Sequence, residues 1–232
     1  MSRLYCSIAW AATVWVLLFG IGSSSSFSQT LPKDYKGETN YPSDIHLETL
    51  SRLGRPSLDE FTDPEEKASY EKQMAKDPTL FDRFHATAHR LHTPIIAEHY
   101  RESLYWLRAK GPLEEDMKAL VRMVATVESN NYIEFGANGV SPAAAEVVKN
   151  RKDPSGLPEK EQVVIRIVRK MLHGPIVDSA DYAAAKRLFG ERGIVTLADF
   201  TVYYGANAMM FRLFDKQLLP GKKPPFELQY SK

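Results

Sequence analysis

Apolar residues recur at helical spacing along most of the chain after residue 43. Three stripes place apolar residues three or four positions apart: Ile96 to Leu107, Met117 to Val127 and Val164 to Leu172. Such spacing puts the apolar side chains on one face of an α-helix. No segment alternates apolar and polar residues for long, and no Asn-Gly or Asp-Gly turn joins two strand-like segments. The pattern predicts an all-α protein.

Proline and glycine residues mark the predicted helix boundaries. A proline's missing N–H is tolerated in the first turn of a helix, so four dipeptides indicate helix starts: Thr93-Pro94, Gly111-Pro112, Ser141-Pro142 and Leu157-Pro158. Asp178 or Ser179 can cap a further helix that ends at Gly190. A last helix is expected from about residue 196 to residue 214.

The first 28 residues form a separate segment with the order typical of a secretory signal peptide. Arg3 precedes an apolar run over residues 4–22, and small polar residues follow, with Ser26 and Ser28 placed for cleavage before Gln29. An uncleaved membrane anchor is the alternative, because the apolar run is almost long enough to span a bilayer. We expect cleavage, a secreted or periplasmic mature protein, and no membrane attachment afterwards.

The remaining chain divides into three predicted parts. Residues 29–43 are polar and rich in turn formers, which predicts an extended N-terminal arm. Residues 44–216 carry the helical stripes and form one predicted helical domain. Residues 217–232 contain three prolines, so we expect an extended C-terminal tail.

Charge and cysteine content exclude two classes of function. The chain has 30 Lys and Arg residues against 29 Asp and Glu residues, without a basic stripe interleaved with aromatic residues, which argues against nucleic-acid binding. Cleavage would remove Arg3 and Cys6, leaving 29 basic residues against 29 acidic ones and no cysteine. A thiol peroxidase needs a thiolate nucleophile, so the mature chain cannot be one.

Several segments, taken in order, resemble the carboxymuconolactone decarboxylase family, whose fold is shared with AhpD-like alkyl hydroperoxide reductase partners. They cover roughly residues 44–214 and read Arg90-Leu91-His92-Thr93-Pro94, Tyr105-Trp106-Leu107-Arg108, Glu134-Phe135-Gly136-Ala137-Asn138, Val177 to Tyr182 and Leu188-Phe189-Gly190. The resemblance implies an AhpD-like helical bundle that forms a homo-oligomer, a trimer or a multiple of it. It also implies a site for a small-molecule substrate near a subunit interface, with no cofactor.

In that family the reactive motif lies on one helix, and here it is altered. The corresponding segment reads Tyr132-Ile133-Glu134-Phe135-Gly136-Ala137-Asn138. The resemblance places Asn131 and Glu134 at the two cysteine positions of the peroxidase members, and Asn138 at the position of their histidine. Asparagine can hydrogen-bond an oxyanion but cannot transfer a proton. The alteration leaves Glu134 as the best acid–base candidate.

Glu134 is predicted to be catalytic, with Tyr132 and Asn138 binding the substrate. In an apolar pocket beside Tyr132 and Phe135, desolvation would raise the pKa of the Glu134 carboxyl group towards neutrality. The alternative is a glutamate on a solvated helix turn. Tyr203, Tyr204 and Asn207 in the last helix are predicted to be structural, although a buried amide such as Asn207 requires hydrogen-bond partners.

Three histidines offer a second set of candidates. His85, His89 and His92 are spaced i, i+4 and i+7, which predicts one helix face and would suit zinc. No carboxylate completes an obvious ligand pattern, so we predict no metal. His92 matches a position that the family often keeps before its Ser/Thr-Pro turn. We therefore predict His92 as a second catalytic residue that shares a cavity with Glu134, and His89 as a substrate-binding residue.

The leading functional hypothesis is an exported lyase that acts on a small carboxylated lactone or a related oxygenated acid. Glu134 or His92 would protonate the carbanion left by loss of carbon dioxide, while Asn138 and Tyr132 would hold the developing oxyanion. The alternative is a non-catalytic binding or assembly protein that keeps the fold without the reactive motif.

Overall fold

A computed structural model describes residues 41–81, 88–174 and 176–229, and within these ranges the protein is helical. The α-helices are α1 (Pro64–Lys76), α2 (Pro94–Lys110), α3 (Glu115–Glu128), α4 (Pro142–Lys149), α5 (Glu159–His173) and α6 (Ser179–Leu213). Two short 3-10 helices span Leu58–Glu60 and Ala88–His92. In the described ranges the extended pairing is one isolated bridge between His46 and Ser51. The all-α prediction is confirmed.

Most helix boundaries follow the predicted punctuation, although Pro158 caps α5 from outside its first turn and α6 continues directly after Gly190 instead of starting near residue 196. Pro94 and Pro142 occupy the first turns of α2 and α4, while α3 begins at Glu115, three residues after Pro112. The Asp178 side chain caps α6 by accepting a hydrogen bond from the backbone N–H of Asp181. At Gly190 α6 is broken by a φ of 66°, a conformation that glycine adopts without strain, so α6 consists of two helical segments.

The core is built around α3, which packs against both α5 and α6. Both apolar stripes of α3 and α5 are buried there, including Val121, Val124, Val164 and Val168 with no exposed surface. Helices α1 and α2 pack on each other beside a second, smaller apolar cluster that includes Leu80, Phe81 and Leu91. Helix α6 contacts both α2 and α3, so residues of these three helices lie close to one another.

Two extended segments close over the ends of the helical domain. The N-terminal segment, residues 41–60, contacts the end of α6. The Arg52 N–H donates to the Phe214 carbonyl, and the Gln217 N–H donates to the Leu50 carbonyl, both at 2.7 Å. The C-terminal tail reaches the loop after α3, where the Phe226 ring lies 5.3 Å from the Phe135 ring. The tail therefore contacts the loop that carries Glu134.

Among the helices that the structure describes, none is long and apolar enough to cross a membrane. The predicted signal peptide, residues 1–28, lies outside the described residues, as does most of the predicted arm.

Candidate active site

Glu134 lies in the loop between α3 and α4, and the prediction that residues 132–138 lie on a helix is wrong. The backbone of residues 131–139 forms turns. Asn130 takes a left-handed conformation with φ of 56°, which ends the helical path just after α3. The Asn131 side chain then accepts a hydrogen bond from the Glu134 N–H at 3.1 Å, a local bond that competes with helix formation.

Two asparagine side chains hold the Glu134 carboxylate. The Asn131 amide donates from Nδ2 to Oε2 at 2.7 Å. The Asn207 amide, on α6, donates from Nδ2 to both carboxylate oxygens at 3.0 Å. Both asparagines are buried, with 1% and 0% of their surface exposed. Because buried amides need partners, this carboxylate and the two asparagines satisfy one another.

The orientation of each amide is set by a further contact. The Asn207 Oδ1 atom accepts a hydrogen bond from Arg90 Nη2 at 3.2 Å. Asn131 Nδ2 also donates to the Tyr204 carbonyl at 3.1 Å. Both amide oxygens accept other hydrogen bonds, from Arg90 and from the Glu134 backbone N–H. Each amide therefore presents its N–H donors to the Glu134 carboxylate. The Glu134 carboxylate forms no ion pair within the described ranges, and its hydrogen-bond partners there are the two neutral amides.

The environment of Glu134 raises the pKa of its carboxyl group to near neutral pH. Burial is the largest influence and raises the pKa of the carboxyl group to about 7. The hydrogen bonds from Asn131 and Asn207 and the charges of Arg122 and Arg108 lower this pKa by less than burial raises it. The residue as a whole retains partial exposure, although protein surrounds its carboxyl group. At neutral pH the protonated and ionised forms are both populated, which is the condition for general acid–base catalysis.

Arg122 of α3 fixes the loop through its backbone. Its Nε and Nη2 atoms donate to the Glu134 carbonyl at 3.0 and 2.8 Å. The guanidinium lies directly against Gly136, where an added Cβ atom would come within 2.8 Å of Arg122 Nη2. The absence of a side chain at Gly136 is therefore what lets Arg122 reach the loop.

Aromatic and cationic side chains of α2 and α6 surround the asparagines. The Tyr100 and Tyr203 rings stack with centroids 4.5 Å apart, and the Arg90 guanidinium lies 3.9 Å from the centre of the Tyr100 ring. Arg108 Nη2 donates to the Tyr204 hydroxyl at 3.0 Å. Burial and the nearby Glu134 charge raise the pKa of Tyr203, so this phenol stays protonated.

The structure does not bring the other predicted residues into the hydrogen-bond network of Glu134. The Tyr132 hydroxyl donates to the Lys216 carbonyl at 2.8 Å, towards the end of α6. Asn138 is exposed. His92 contacts the N-terminal segment, with Nε2 2.9 Å from the Gly54 carbonyl and Nδ1 3.4 Å from Glu60 Oε2.

His92 and Glu134 share no hydrogen bond or ion pair within the part of the chain that the structure describes. The expectation that each biases the ionisation of the other finds no support in these contacts. The cause is local: residues 88–92 form a 3-10 helix that ends at His92, whose side chain meets Gly54 and Glu60.

His89 packs against the end of α6. Its ring lies 5.4 Å from the Phe211 ring and 6.0 Å from the Phe214 ring. It lines a small cavity of about 10 Å³, which is room for roughly one water molecule. Lys216 lines the same cavity, and burial lowers the pKa of its ammonium group to about 8.

The predicted histidine face is described only for His89 and His92. His89 and His92 lie on the 3-10 helix and have separate partners, while His85 lies outside the described residues. No group of three or more His, Cys, Asp or Glu side chains that could hold a metal ion occurs among the described residues.

Sequence reasoning missed most of the residues that surround Glu134. Asn207 carried the one available signal, an amide among the apolar residues of a predicted core helix, and was assigned a structural role. Arg90, Arg108 and Arg122 stand at positions that look like ordinary solvated charges on a helix. Nothing in their spacing indicates that they contact Asn207, Tyr204 and the Glu134 backbone, respectively.

No protein-family model and no curated protein matches the chain. A solved structure of an AhpD core, an uncharacterised peroxidase-related protein from Ralstonia eutropha JMP134, is similar to it at 16% sequence identity. The match covers 74% of this chain and 93% of that chain, with a TM-score of 0.49.

Proposed function

We propose that the protein is an acid–base catalyst, a carboxy-lyase that acts on a small carboxylated lactone or a related oxygenated acid. The observation that carries this proposal is the Glu134 carboxyl group, which has a pKa of about 7 and is held by two buried asparagine amides. A carboxyl group tuned to neutrality can both donate and accept a proton at physiological pH.

In the proposed reaction, Glu134 supplies the proton that replaces carbon dioxide. The bond between the substrate carbon and its carboxylate breaks, and its electron pair is delocalised onto a neighbouring carbonyl oxygen. Protonated Glu134 then transfers its proton to that carbon, and the resulting carboxylate is reprotonated from water. The carboxylate's hydrogen bonds from Asn131 and Asn207 stabilise the ionised form that this step produces.

The protonated form of Glu134 is suited to donate. Its hydrogen-bond partners are amide N–H groups, which are donors and cannot accept the carboxyl proton. Substrate is then the natural acceptor. Arg90 and Arg108, which reach Asn207 and Tyr204, are the cationic groups best placed to attract a substrate carboxylate.

In the proposed function, the other predicted residues act only after a local rearrangement. His92 would act only if the contact with Gly54 opened, and Asn138 and Tyr132 only if the loop moved towards Glu134. His89 would act on substrate only if its small cavity widened. Glu134, Asn131 and Asn207 already contact one another, and substrate would reach the carboxyl group through an opening of the protein around it.

The test uses purified protein with a panel of small lactone carboxylates and β-keto acids. Carbon dioxide release and incorporation of deuterium from D₂O at the reacting carbon are followed together. We expect turnover with an apparent pKa near 7 in its pH profile, and a loss of about 100-fold or more in Glu134→Gln, as for removal of a catalytic acid. Glu146→Gln is the control, because Glu146 forms an exposed ion pair with Lys152.

Two outcomes would count against this function. Full turnover in Glu134→Gln would remove Glu134 from the mechanism. Saturable binding of a panel member without turnover or deuterium exchange would favour the non-catalytic binding protein.

We also propose that the protein is exported and self-associates. Intact-mass measurement of native protein should give a chain that begins at or near Gln29. Val195, Val202, Met209 and Leu213 form an exposed apolar stripe on α6, a surface suited to a homo-oligomer such as a trimer. Light scattering that gave a monomer at micromolar concentration would contradict the second statement.

A further inference from the structure

A second charged cluster lies near the C-terminal ends of α3 and α5, apart from the hydrogen bonds of Glu134. An open groove of about 390 Å³ is lined there by Glu128, Arg151, Arg169, Lys170, His173 and Gly174. Three of these residues come from one turn at the end of α5, and Arg151 follows α4. The groove is thus built by three helices of the core.

The Glu128 carboxylate contacts three basic side chains in this groove. Arg169 Nε donates to Glu128 Oε1 at 2.7 Å, and Arg151 Nε lies 3.8 Å from Glu128 Oε2. His173 Nε2 lies 3.3 Å from the same Oε2 atom. The two guanidinium groups carry one more charge than Glu128 can neutralise, while the Glu227 charge also acts on Arg151 and the Asp153 charge interacts with Arg169. A bound anion would interact favourably with the positive charge that remains.

The remaining hydrogen bonds of the two arginines go mainly to neutral groups. Arg151 donates to the Val127 carbonyl at 2.7 Å and to Asn130 Oδ1 at 3.1 Å. Arg169 Nη1 donates to the Lys152 carbonyl at 2.7 Å. These bonds fix the guanidinium planes without neutralising their charge, so the positive charge is preorganised.

Arg169 retains unused donor capacity. Its Nη2 atom is buried and has no hydrogen-bond partner among the residues that the structure describes. A buried donor without a partner is costly, so an acceptor that reached Nη2 would be favoured. Burial and the adjacent Arg169 charge lower the pKa of Arg151 against the opposing effect of Glu128, as expected for two crowded cations.

Lys170 contributes less to this charge excess than its position suggests. Its ammonium group pairs with both Asp178 and Asp181, which do not line the groove. The free positive charge is therefore concentrated on Arg151 and Arg169, with His173 at the exposed rim, where 55% of its side chain is accessible.

We propose that this groove is a binding site for a phosphate-type oxyanion, held by Arg151 and Arg169 with His173 at its rim. Guanidinium groups match tetrahedral oxyanions because each presents several N–H donors in one plane. The groove is larger than an inorganic ion needs, so a phosphate monoester of a small molecule fits it better. This inference does not depend on the proposed chemistry of Glu134.

The test is calorimetric titration of the full-length protein with inorganic phosphate, phenyl phosphate and acetate at constant ionic strength. We expect saturable phosphate binding at millimolar concentration or below, and weaker binding of acetate. Tighter binding of phenyl phosphate than of phosphate would identify a monoester as the physiological ligand class, and equal binding would identify the free ion. Undetectable phosphate and phenyl phosphate binding up to about 20 mM, well above the range of a built two-arginine site, would overturn the proposal.

Two variants locate the site. Arg169→Gln should abolish binding, and His173→Gln should weaken it about fivefold, as for the loss of one charge-assisted hydrogen bond. His173 is half exposed, so its variant keeps the test valid if Arg169→Gln fails to fold. The control is Arg187→Gln, which removes an arginine that pairs with Glu159 on the surface. Equal affinity in His173→Gln and in a folded Arg169→Gln, or a comparable loss in Arg187→Gln, would place the anion elsewhere.

Discussion

Glu128 and Glu134 lie six positions apart in the chain and have opposite kinds of partner. Glu128, at the end of α3, is contacted by Arg169, Arg151 and His173. Glu134, in the loop that follows, receives hydrogen bonds from two neutral asparagine amides. Basic side chains surround the first carboxylate, whereas neutral donors in a buried setting leave the second able to take up a proton near pH 7.

The difference arises from which helix faces each carboxylate. Helix α5 places Arg169 and His173 four residues apart, hence on one face, beside Glu128. Helix α6 instead presents Asn207 from its buried side to Glu134. Arg122 approaches the Glu134 backbone carbonyl, so its charge lowers the carboxyl pKa only as a minor influence behind burial. The last residue of a helix and a residue in the loop after it can thus place their carboxylates in opposite surroundings.

The largest expected effect concerns Glu128. Glu128→Gln should lower the free energy of unfolding by about 3 kcal/mol, because it leaves Arg169 and Arg151 without a counter-charge in a partly buried site. Urea unfolding at pH 7 measures this. The matched control is Glu146→Gln, whose exposed pair with Lys152 should be worth under about 0.5 kcal/mol. Equal effects in the two variants would mean that the Glu128 cluster is no more than a surface network.

The class of the fold could be predicted from the sequence, because helical periodicity is local. The stripes of α2, α3 and α5 and the break at Gly190 lie where the spacing of apolar residues and glycine put them. The loop carrying Glu134 could not, because the resemblance favoured a helix there. Its turns depend on the conformation of Asn130 and on a side-chain bond from Asn131, which periodicity does not record.

The candidate site was predicted only at its centre. The sequence predicts a raised pKa for Glu134, and in the structure the pKa of its carboxyl group is about 7. Its partner Asn207 lies 73 positions away, and such a long-range pairing leaves no trace in a single sequence. The pairing of His92 with Glu134 was expected for the same pocket, yet His92 contacts Gly54, a residue with no recognisable signal.

The second expected effect is on the pH dependence of stability. The folded-state pKa of Glu134 is raised from 4.5 to about 7, so the bound proton stabilises the fold below pH 4.5 and this contribution is lost as the pH rises through 7. The loss is at most about 3 kcal/mol for this group. Glu134→Gln should lack it, so the stability difference between variant and wild type should change by that amount between pH 4 and pH 8.

Chemical denaturation at several pH values gives this difference directly, with Glu146→Gln as the control for removing a carboxylate. A constant difference between Glu134→Gln and wild type across the range would show that the Glu134 pKa is ordinary, and would remove the contrast with Glu128.

The third expected effect is on the titration of Glu134 itself. Asn207→Leu removes a donor to both carboxylate oxygens at similar volume, so the pKa of Glu134 should rise further, by about one unit for a lost hydrogen bond to the ionised form. Carboxyl-carbon NMR of labelled glutamate follows the titration. Asn138→Ala is the control, because Asn138 is exposed and outside this network. A shift of the same size in both variants would contradict the assigned role of Asn207.

The smallest expected effect tests how firmly Arg122 fixes the loop. A methyl group at Gly136 would approach Arg122 Nη2 to 2.8 Å, and that guanidinium cannot move aside without breaking its two bonds to the Glu134 carbonyl. Gly136→Ala should therefore cost about 1 kcal/mol of unfolding free energy, the worth of a hydrogen bond. Gly156→Ala is the matched control, since a Cβ atom there meets nothing within 4 Å and should change stability by less than about 0.5 kcal/mol. Thermal unfolding separates the two variants, and because Arg122 lowers the Glu134 pKa, release of its guanidinium should also raise that pKa slightly. If Gly136→Ala were as stable as Gly156→Ala and left the titration of Glu134 unchanged, Arg122 would be a passive neighbour of the loop, and the asparagines alone would position the carboxylate.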